Sequence, residues 1–158
     1  MEKADLKKHP AIERLRAWNP RAAEEVSESR GDVTVVLPRE LVRAAAERLR
    51  DDDSLQFNLL SDISAVDFFP VEPRFELNYH LVSIPRRSKL RLRVRLRGDN
   101  PAVESVTSVW PGADWMEREI FDLFGVRFEG HPNLRRILLP ENWEGHPLRR
   151  DYPVEGSR

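Results

Sequence analysis

Apolar residues recur along three successive segments of the chain, residues 63–69, 75–84 and 89–97, and alternate with polar residues in the second and third. In the third segment leucine or valine occupies every second position and lysine or arginine occupies the others, which is the period of a strand with one buried face. The connections between these segments are short, so they predict an antiparallel meander. A mainly β-branched run at 33–37 predicts a fourth strand.

Other segments repeat their apolar residues at the spacing of an α-helix. The pattern predicts helices at 10–18, from Pro38 to about residue 50, from Pro101 to a stop at Pro111, and from about Trp115 to Phe124. Gly125 follows the last of these, where glycine commonly ends a helix. Because one helix lies within the series of strands and others follow it, the expected fold class is α+β, a small mainly antiparallel four-stranded sheet covered by helices.

The last predicted helix carries a dense group of charged residues. Asp114 and Glu117 have the spacing of a capping box, in which the glutamate reaches back to the start of its helix. The alternative for Glu117 is a partly buried carboxylate that pairs with an arginine, within the chain or across an interface. Arg118 and Asp122 are neighbours at i and i+4 beside Glu119, and we expect these three to form a polar face.

The C-terminal segment, residues 126–158, follows neither period and is interrupted by four prolines, yet 10 of its 33 residues are apolar. Structureless loops of this length are uncommon in compact domains. An extended segment cannot bury both of its faces on itself, so we expect an arm that docks onto another protein. The alternative is that the segment wraps around its own domain. The predicted division is therefore a core domain at 1–125 and a proline-rich docking arm at 126–158.

Two units within this arm resemble each other, GHPNLRR at 130–136 and GHPLRR at 145–150. Each offers a turn, an imidazole, an apolar anchor and two guanidinium groups, and arginines with apolar anchors are enriched in protein interfaces. The predicted anchors are His131, Leu134, Arg135, Arg136, His146, Arg149 and Arg150.

Composition narrows the functional classes. The length of 158 residues favours one domain, and the net charge of −1 argues against a general polyanion binder. Without cysteine the chain by itself holds no Fe–S cluster, disulfide or cysteine zinc site. Four histidines without HExxH spacing do not indicate a metal site, and the Gly-rich nucleotide-binding and GxSxG hydrolase motifs are absent.

We expect no membrane-spanning segment and, because residues 1–8 lack an apolar run, no secretory signal. A cytoplasmic location is therefore the default. The basic strand at 89–97 leaves an RNA-binding sheet open as an alternative, although it lacks the aromatic residues on which bases stack. Simple solvation of that face, or pairing with acidic residues of a partner, are the other interpretations.

The sequence WMEREIFDLFG at 115–125 resembles the ERE-x-x-DLFG motif of the thirty-kilodalton subunit family of respiratory complex I, known in bacteria as the C subunit of NADH–quinone oxidoreductase. FEGHPNLRRIL at 128–138 and WEGHPLRRDYP at 143–153 resemble the same family, so the similarity is continuous over about 113–153. Upstream segments resemble it more weakly. Met116 departs from the aromatic residue of many members, a difference that affects packing.

The resemblance implies an α+β subunit with an extended C-terminal arm, in the peripheral arm of a proton-pumping complex on the cytoplasmic side of the bacterial inner membrane. It implies a non-catalytic, bracing role beside the D subunit of the complex, with FMN, Fe–S clusters and quinone held by partner subunits, no metal in this chain and no nucleic-acid partner. The expected partner-interface residues are Glu117, Arg118, Glu119, Asp122, His131, Leu134, Arg135, Arg136, His146, Arg149 and Arg150. The equivalent subunit of a membrane-bound hydrogenase or F420H2 dehydrogenase shares the motif and stays the alternative.

Overall fold

The computed structural model describes residue 6 and residues 8–155. Its α-helices are α1 (Pro10–Trp18), α2 (Val42–Asp51) and α3 (Ala113–Phe124). Its strands are β1 (Glu25–Ser29), β2 (Asp32–Leu37), β3 (Leu59–Asp67), β4 (Phe75–Ser83), β5 (Ser88–Leu96), β6 (Ala102–Glu104) and β7 (Arg127–Glu129). The predicted absence of a secretory signal falls mainly on residues outside the described part. No helix in the described part is long and apolar enough to cross a membrane.

Strands β1 to β5 form one sheet in the order β1-β2-β5-β4-β3, in which only the β2–β5 pair is parallel. The mainly antiparallel α+β fold and the β3-β4-β5 meander are thereby confirmed, but the prediction of four strands is wrong. The missed strand is β1, an edge strand whose only apolar residue is Val26. It is joined to β2 by Arg30 and Gly31, whose φ angles of 54° and 87° are those of a two-residue hairpin turn.

The hydrophobic core lies on one face of this sheet, between the strands and the helices. The alternate residues Leu90, Leu92, Val94 and Leu96 of β5 are all buried there, as their period predicts. The predicted apolar stripe of α2 is also buried, from Val42 to Leu49. Helix α3 packs over β3 at the edge of the core.

The opposite face of the sheet carries the basic residues of β5. Arg91, Arg93 and Arg95 form ion pairs with Asp32, Glu76 and Glu25 respectively, each on a neighbouring part of the same sheet. The positive charge of this face is therefore balanced within the chain, which removes the electrostatic support for an RNA-binding sheet.

The predicted helix from Pro101 to Pro111 is wrong. The chain forms strand β6 at Ala102–Glu104, which pairs in parallel with β7, and then a series of turns. The valines at 103, 106 and 109 recur at helical spacing, but Val103 is held by the ladder to Phe128, 25 residues along the chain. Local periodicity cannot anticipate a partner strand this distant.

Helix α3 ends as predicted, with Gly125 in the left-handed region at φ 75°. It begins two residues earlier than predicted, at Ala113, with Gly112 at the N-cap. The capping box is therefore wrong: Asp114 lies in the first turn, and Glu117 turns inward to other partners.

After β7, residues 130–155 form turns and extended backbone and run back along α3. The predicted division at residue 125 stays a prediction. Val126 and Phe128, just beyond it, are buried in the core.

Candidate protein–protein interface at helix α3

Asp122 of α3 is the centre of the contacts between this helix and the C-terminal segment. Its side chain is fully buried, and its Oδ1 accepts a hydrogen bond from Arg136 Nη1 at 2.7 Å. Its Oδ2 accepts from three successive backbone N–H groups, those of residues 137, 138 and 139, at 3.1, 2.8 and 2.9 Å. Burial alone would raise the pKa of Asp122, but these donors lower it below its ordinary value. One ionised carboxylate thus fixes the turn of the segment.

The same segment satisfies the backbone carbonyls at the end of α3, which have no partner within a helix. Arg136 Nη1 and His146 Nδ1 donate to the carbonyl oxygen of Asp122 at 3.0 and 2.9 Å. The N–H of Leu148 donates to Leu123 O at 3.0 Å, and Arg149 Nε donates to Phe124 O at 2.6 Å. Two arginines placed at a helix C-terminus also interact favourably with the helix dipole.

The two similar units bind opposite ends of α3. In the first unit, His131 Nδ1 accepts a hydrogen bond from the N–H of Asn133, so Nε2 carries the proton and donates to Asp114 O at 3.2 Å in the first turn of the helix. In the second, His146 binds Asp122 in the last turn. Between them, Arg118 donates from the middle of α3 to the carbonyls of residues 135 and 136. The two similar units therefore hold the C-terminal segment against the two ends of one helix.

A second cluster holds the end of the segment against the sheet. Arg74 donates two hydrogen bonds to Asp67 at 2.8 and 2.9 Å and two to Asp151 at 2.6 and 3.5 Å. Asp67 Oδ2 also accepts from the N–H of Arg150 at 2.8 Å. Burial acts to raise the pKa of Asp67, but Arg74 and the backbone donors outweigh it and set that pKa at about 2. Residues 83 positions apart in the sequence are thereby joined.

Glu117 points into the core and is fully buried. Its Oε2 accepts from Ser105 Oγ at 2.7 Å and its Oε1 from the N–H of Val106 at 2.8 Å, so it holds the turn after β6. Among the described residues no arginine pairs with it, which contradicts the predicted pairing within the chain. Burial raises its pKa to about 7, against the smaller opposing effect of the two hydrogen bonds. Tyr79, whose buried hydroxyl has no partner in the described part of the chain, has its pKa raised by burial and then by Glu117.

The predicted interface residues separate into two groups. One group bonds or packs within the chain: Glu117, Arg118, Asp122, His131, Leu134, Arg136, His146 and Arg149. The other has exposed side chains and comprises Glu119, Arg135, whose guanidinium lies 3.9 Å from Glu141, and Arg150, whose backbone N–H bonds to Asp67. Whether either group contacts a partner stays a prediction.

Several exposed apolar side chains share this side of the molecule and were not singled out in the sequence. Trp115 is 64% exposed on α3, and Leu138, Trp143 and Leu148 are exposed on the C-terminal segment. The exposure of Trp115 could have been predicted from the helical spacing. Positions 115, 118, 119 and 122 share one face of the helix, and Trp115 is the apolar residue on that otherwise polar face. The Asp67–Arg74–Asp151 cluster had no such signal.

The described residues contain no group of three histidine, aspartate or glutamate side chains placed to hold a metal ion. An open cleft of about 450 Å³ lies elsewhere, on the outer sheet face beside His80 and Arg91. What α3 and the segment offer is a rigid, partly apolar surface with guanidinium groups, which suits binding to a protein. The fold and the site thus define a small α+β protein with one structured, partly apolar surface at helix α3.

Comparison with known proteins specifies the family. The family model described as the 30 kDa subunit of respiratory-chain NADH dehydrogenase matches residues 35–158. The chain is 50% identical to the C subunit of NADH-quinone oxidoreductase from Roseiflexus sp. (strain RS-1), over 90% of this chain and 82% of the relative. It is 42% identical to the protein of the same name from Citrifermentans bemidjiense, over 92% of this chain and 89% of the relative.

Solved structures agree. A trypsin-resistant fragment (1-134) of Nqo5 superposes with a TM-score of 0.60 and 33% identity, covering 78% of this chain and 99% of the fragment. A chain of the membrane-bound sulfane sulfur reductase, an archaeal respiratory membrane complex, superposes with a TM-score of 0.77 and 25% identity, covering 97% of this chain and 87% of that chain. The chain belongs to the family of the 30 kDa subunit of respiratory-chain NADH dehydrogenase, and the resemblance seen in the sequence is confirmed.

Proposed function

We propose that this chain is a non-catalytic core subunit of the peripheral arm of a proton-pumping NADH–quinone oxidoreductase. Family membership supports the complex, and the surface built on α3 supports the bracing role. The acidic and imidazole groups of that surface are held in structural bonds, as Asp122 is by Arg136 and His146 is by the end of α3. In this proposal FMN, Fe–S clusters and quinone belong to partner subunits, and this chain lies peripherally on the cytoplasmic side of the bacterial inner membrane.

The observation that carries the bracing role is the ordered apolar surface. Leu138 is 60% exposed although neighbouring backbone groups at 137–139 are fixed by Asp122. Covering exposed apolar side chains costs little conformational entropy when the backbone that carries them is already ordered. Apolar side chains also make up much of the core of a protein interface. The exposed residues Glu119, Arg135 and Arg150 would contact the partner directly, and bonded residues such as Asp122 and Arg136 would hold the shape of the surface. We assign the D subunit of the complex as the neighbour because the family resemblance implies it.

The test is a substitution on the exposed surface. Leu138→Asp should prevent the chain from joining the assembled complex, because it places a charge in the apolar contact, while the isolated chain keeps its melting temperature. The matched control is Ile84→Asp at the β4–β5 turn, where the side chain is 70% exposed on a different part of the fold. Assembly is measured by co-purification and native electrophoresis. Normal assembly of the Leu138→Asp variant, or equal failure of both variants, would contradict the proposal.

A second candidate is the equivalent subunit of another respiratory complex, such as a membrane-bound hydrogenase or F420H2 dehydrogenase. It is favoured by the likeness to the sulfane sulfur reductase chain, which extends over nearly the whole of this chain. Identifying the chains that co-purify with it distinguishes the two. Flavin- and cluster-bearing partners with NADH dehydrogenase activity support the first candidate, and a hydrogenase or F420H2-oxidising partner supports the second.

A further inference from the structure

His146 and Arg149 lie side by side against Gly125, at the end of α3. The close approach is visible at the glycine, where a Cβ atom would lie 2.6 Å from Arg149 Nη2 and 2.6 Å from His146 Cδ2. Each residue uses one nitrogen to bind a terminal carbonyl of the helix, His146 through Nδ1 and Arg149 through Nε. Their remaining nitrogens are therefore fixed in position next to each other.

The free nitrogen of His146 is a hydrogen-bond acceptor. A carbonyl oxygen only accepts, so Nδ1 carries the proton that it donates to Asp122 O at 2.9 Å. Burial lowers the pKa of His146, and the adjacent charges of Arg149 and Arg136 lower it further. The imidazole is thus neutral near pH 7, and Nε2 carries a lone pair.

Arg149 is a half-buried cation that forms no ion pair with the described residues. Within the described part of the chain, the guanidinium of Arg149 makes one hydrogen bond, from Nε to Phe124 O, and its terminal nitrogens have no hydrogen-bond partner. The guanidinium carbon lies 5.2 Å from the centre of the buried Phe75 ring. Burial lowers the pKa of Arg149 and repulsion from Arg74 adds to the effect, whereas the attraction of Asp151 and Asp67, neither of which forms an ion pair with Arg149, opposes it.

Two neighbouring arginines, unlike Arg149, form ion pairs within the chain. Arg136 has Asp122, and Arg74 has both Asp67 and Asp151. A guanidinium taken partly out of water gains most from a carboxylate that binds it directly, because the desolvation has already occurred in the free chain. Arg149 therefore has the chemistry of a site prepared for an external anion.

We propose that His146 and Arg149 form a two-point binding site for an acidic segment of the neighbouring subunit, whose carboxylate binds the terminal nitrogens of Arg149 and whose N–H or O–H group binds His146 Nε2. Charge complementarity argues for a carboxylate. Leu148, 51% exposed beside them in the sequence, argues for a protein segment that also brings an apolar side chain. This inference rests on the proposed function, since it names the chemistry of the partner at that surface.

The first experiment compares Arg149→Met with Arg87→Met in the assembled complex. Arg87 is an exposed arginine of the β4–β5 turn, outside the proposed interface, and the hydrogen bond from its backbone N–H to Ile84 O survives the substitution. We expect Arg149→Met to raise the rate at which the chain leaves the complex in high salt by about tenfold or more, and Arg87→Met to change it less than about twofold. Equal effects of the two variants would mean that only net charge matters and would overturn the inference.

The second experiment does not depend on the stability of an Arg149 variant. A photo-crosslinking amino acid replaces Leu148, and the crosslinked peptide is identified by mass spectrometry after irradiation of the complex. A partner peptide with an aspartate or glutamate within a few residues of the crosslink supports the site. A crosslink to lipid, or to a peptide without an acidic residue, overturns it. Failure of the unmodified chain to join any such complex would instead reject the proposed function.

Discussion

Glu117 shows how strongly one position can depend on its surroundings. The carboxyl group is fully buried, pairs with no cation among the described residues, and is bonded to one hydroxyl and one backbone N–H. Asp114, from the same helix, disfavours the charged form of Glu117, and Glu117 in turn raises the pKa of Tyr79 in β4. Glu117 is thus partly protonated near neutral pH, because its buried surroundings disfavour the charged carboxylate.

This position predicts a pH dependence of stability. With a pKa of about 7 against an ordinary 4.5, the folded chain holds the proton more tightly than the unfolded chain. The stabilisation is complete below about pH 4.5 and is lost as the pH rises through about 7. Glu117→Gln should remove up to about 3 kcal/mol of this dependence, measured by chemical denaturation from pH 5 to pH 8.

The control is Glu119→Gln, an exposed glutamate two positions away on α3. Its pH profile should match that of the wild type. If Glu117→Gln retains the full wild-type slope between pH 5 and pH 8, the buried carboxyl is not the group that titrates.

Gly125 is a second position where the surroundings determine the cost of a substitution. Gly125→Ala imposes a side chain at φ 75° and places its Cβ within 2.7 Å of both His146 and Arg149, so the unfolding free energy should fall by about 2–4 kcal/mol. Gly130→Ala separates the two causes, because Gly130 has φ 81° but nothing within 4 Å. Thermal or urea denaturation should show a loss of only about 1 kcal/mol there. Equal losses would mean that the contact with the segment is unimportant.

At the scale of elements, α3 and the C-terminal segment form one unit. The helix supplies a buried carboxylate and its terminal carbonyls, and the segment supplies the donors that satisfy them. Neither element is complete alone, because a buried carboxylate and orphan carbonyls are costly without partners. The stability of the segment should therefore be controlled by Asp122.

Asp122→Asn tests this unit. The amide keeps the size of the carboxylate but turns a donor toward either Arg136 or the three backbone N–H groups, so the segment should open more often. Limited trypsin digestion should cut after Arg135 and Arg136 at least about tenfold faster than in the wild type. Asp53→Asn, an exposed change outside this unit, serves as the control. Unchanged cleavage would show that the segment is held by other contacts.

At the scale of the whole molecule, the paired charged residues and most of the exposed apolar residues lie on different surfaces. The outer face of the sheet is balanced by ion pairs between its own strands. Most of the exposed aromatic and aliphatic side chains occur instead around α3, the C-terminal segment and the β3–β4 connection, where Phe68, Phe69 and Val71 are exposed. Ile84, at the β4–β5 turn, is exposed elsewhere. Arg74 joins that connection to the segment through Asp151. The molecule thus has one side suited to a protein partner.

Hydrogen exchange distinguishes the intramolecular contacts from those with a partner. In the isolated full chain the N–H groups of residues 137–139, 148 and 150 should exchange at least about 100-fold more slowly than the exposed Asn142, since each is bonded to α3 or the sheet. Added protection at Asn142 in the complex would mark the docking side. Fast exchange over the entire segment would mean that it becomes ordered only on assembly.

Local patterns predicted much of the fold because they depend on neighbouring residues. The alternation of β5 and the stripe of α2 each report one buried face, and Gly125 reports a helix end. The same reasoning failed at 101–110, where valine spacing imitated a helix, and at β1, whose polar edge strand has little period. The family was visible in the contiguous motif at 115–125, which needs no tertiary contact to be recognised.

The sequence by itself therefore determined the class of fold, the periodic elements and the family. Only the tertiary structure decided where the charged groups of α3 and the segment point. Asp122 meets Arg136 14 positions away, Glu117 meets Ser105 12 positions away, and Asp67 meets Arg150 83 positions away. Burial and partnership at such distances are set by the packing of the whole chain. The residues expected to contact a partner therefore bind mainly one another, and within the described part of the chain no carboxylate bonds directly to Arg149.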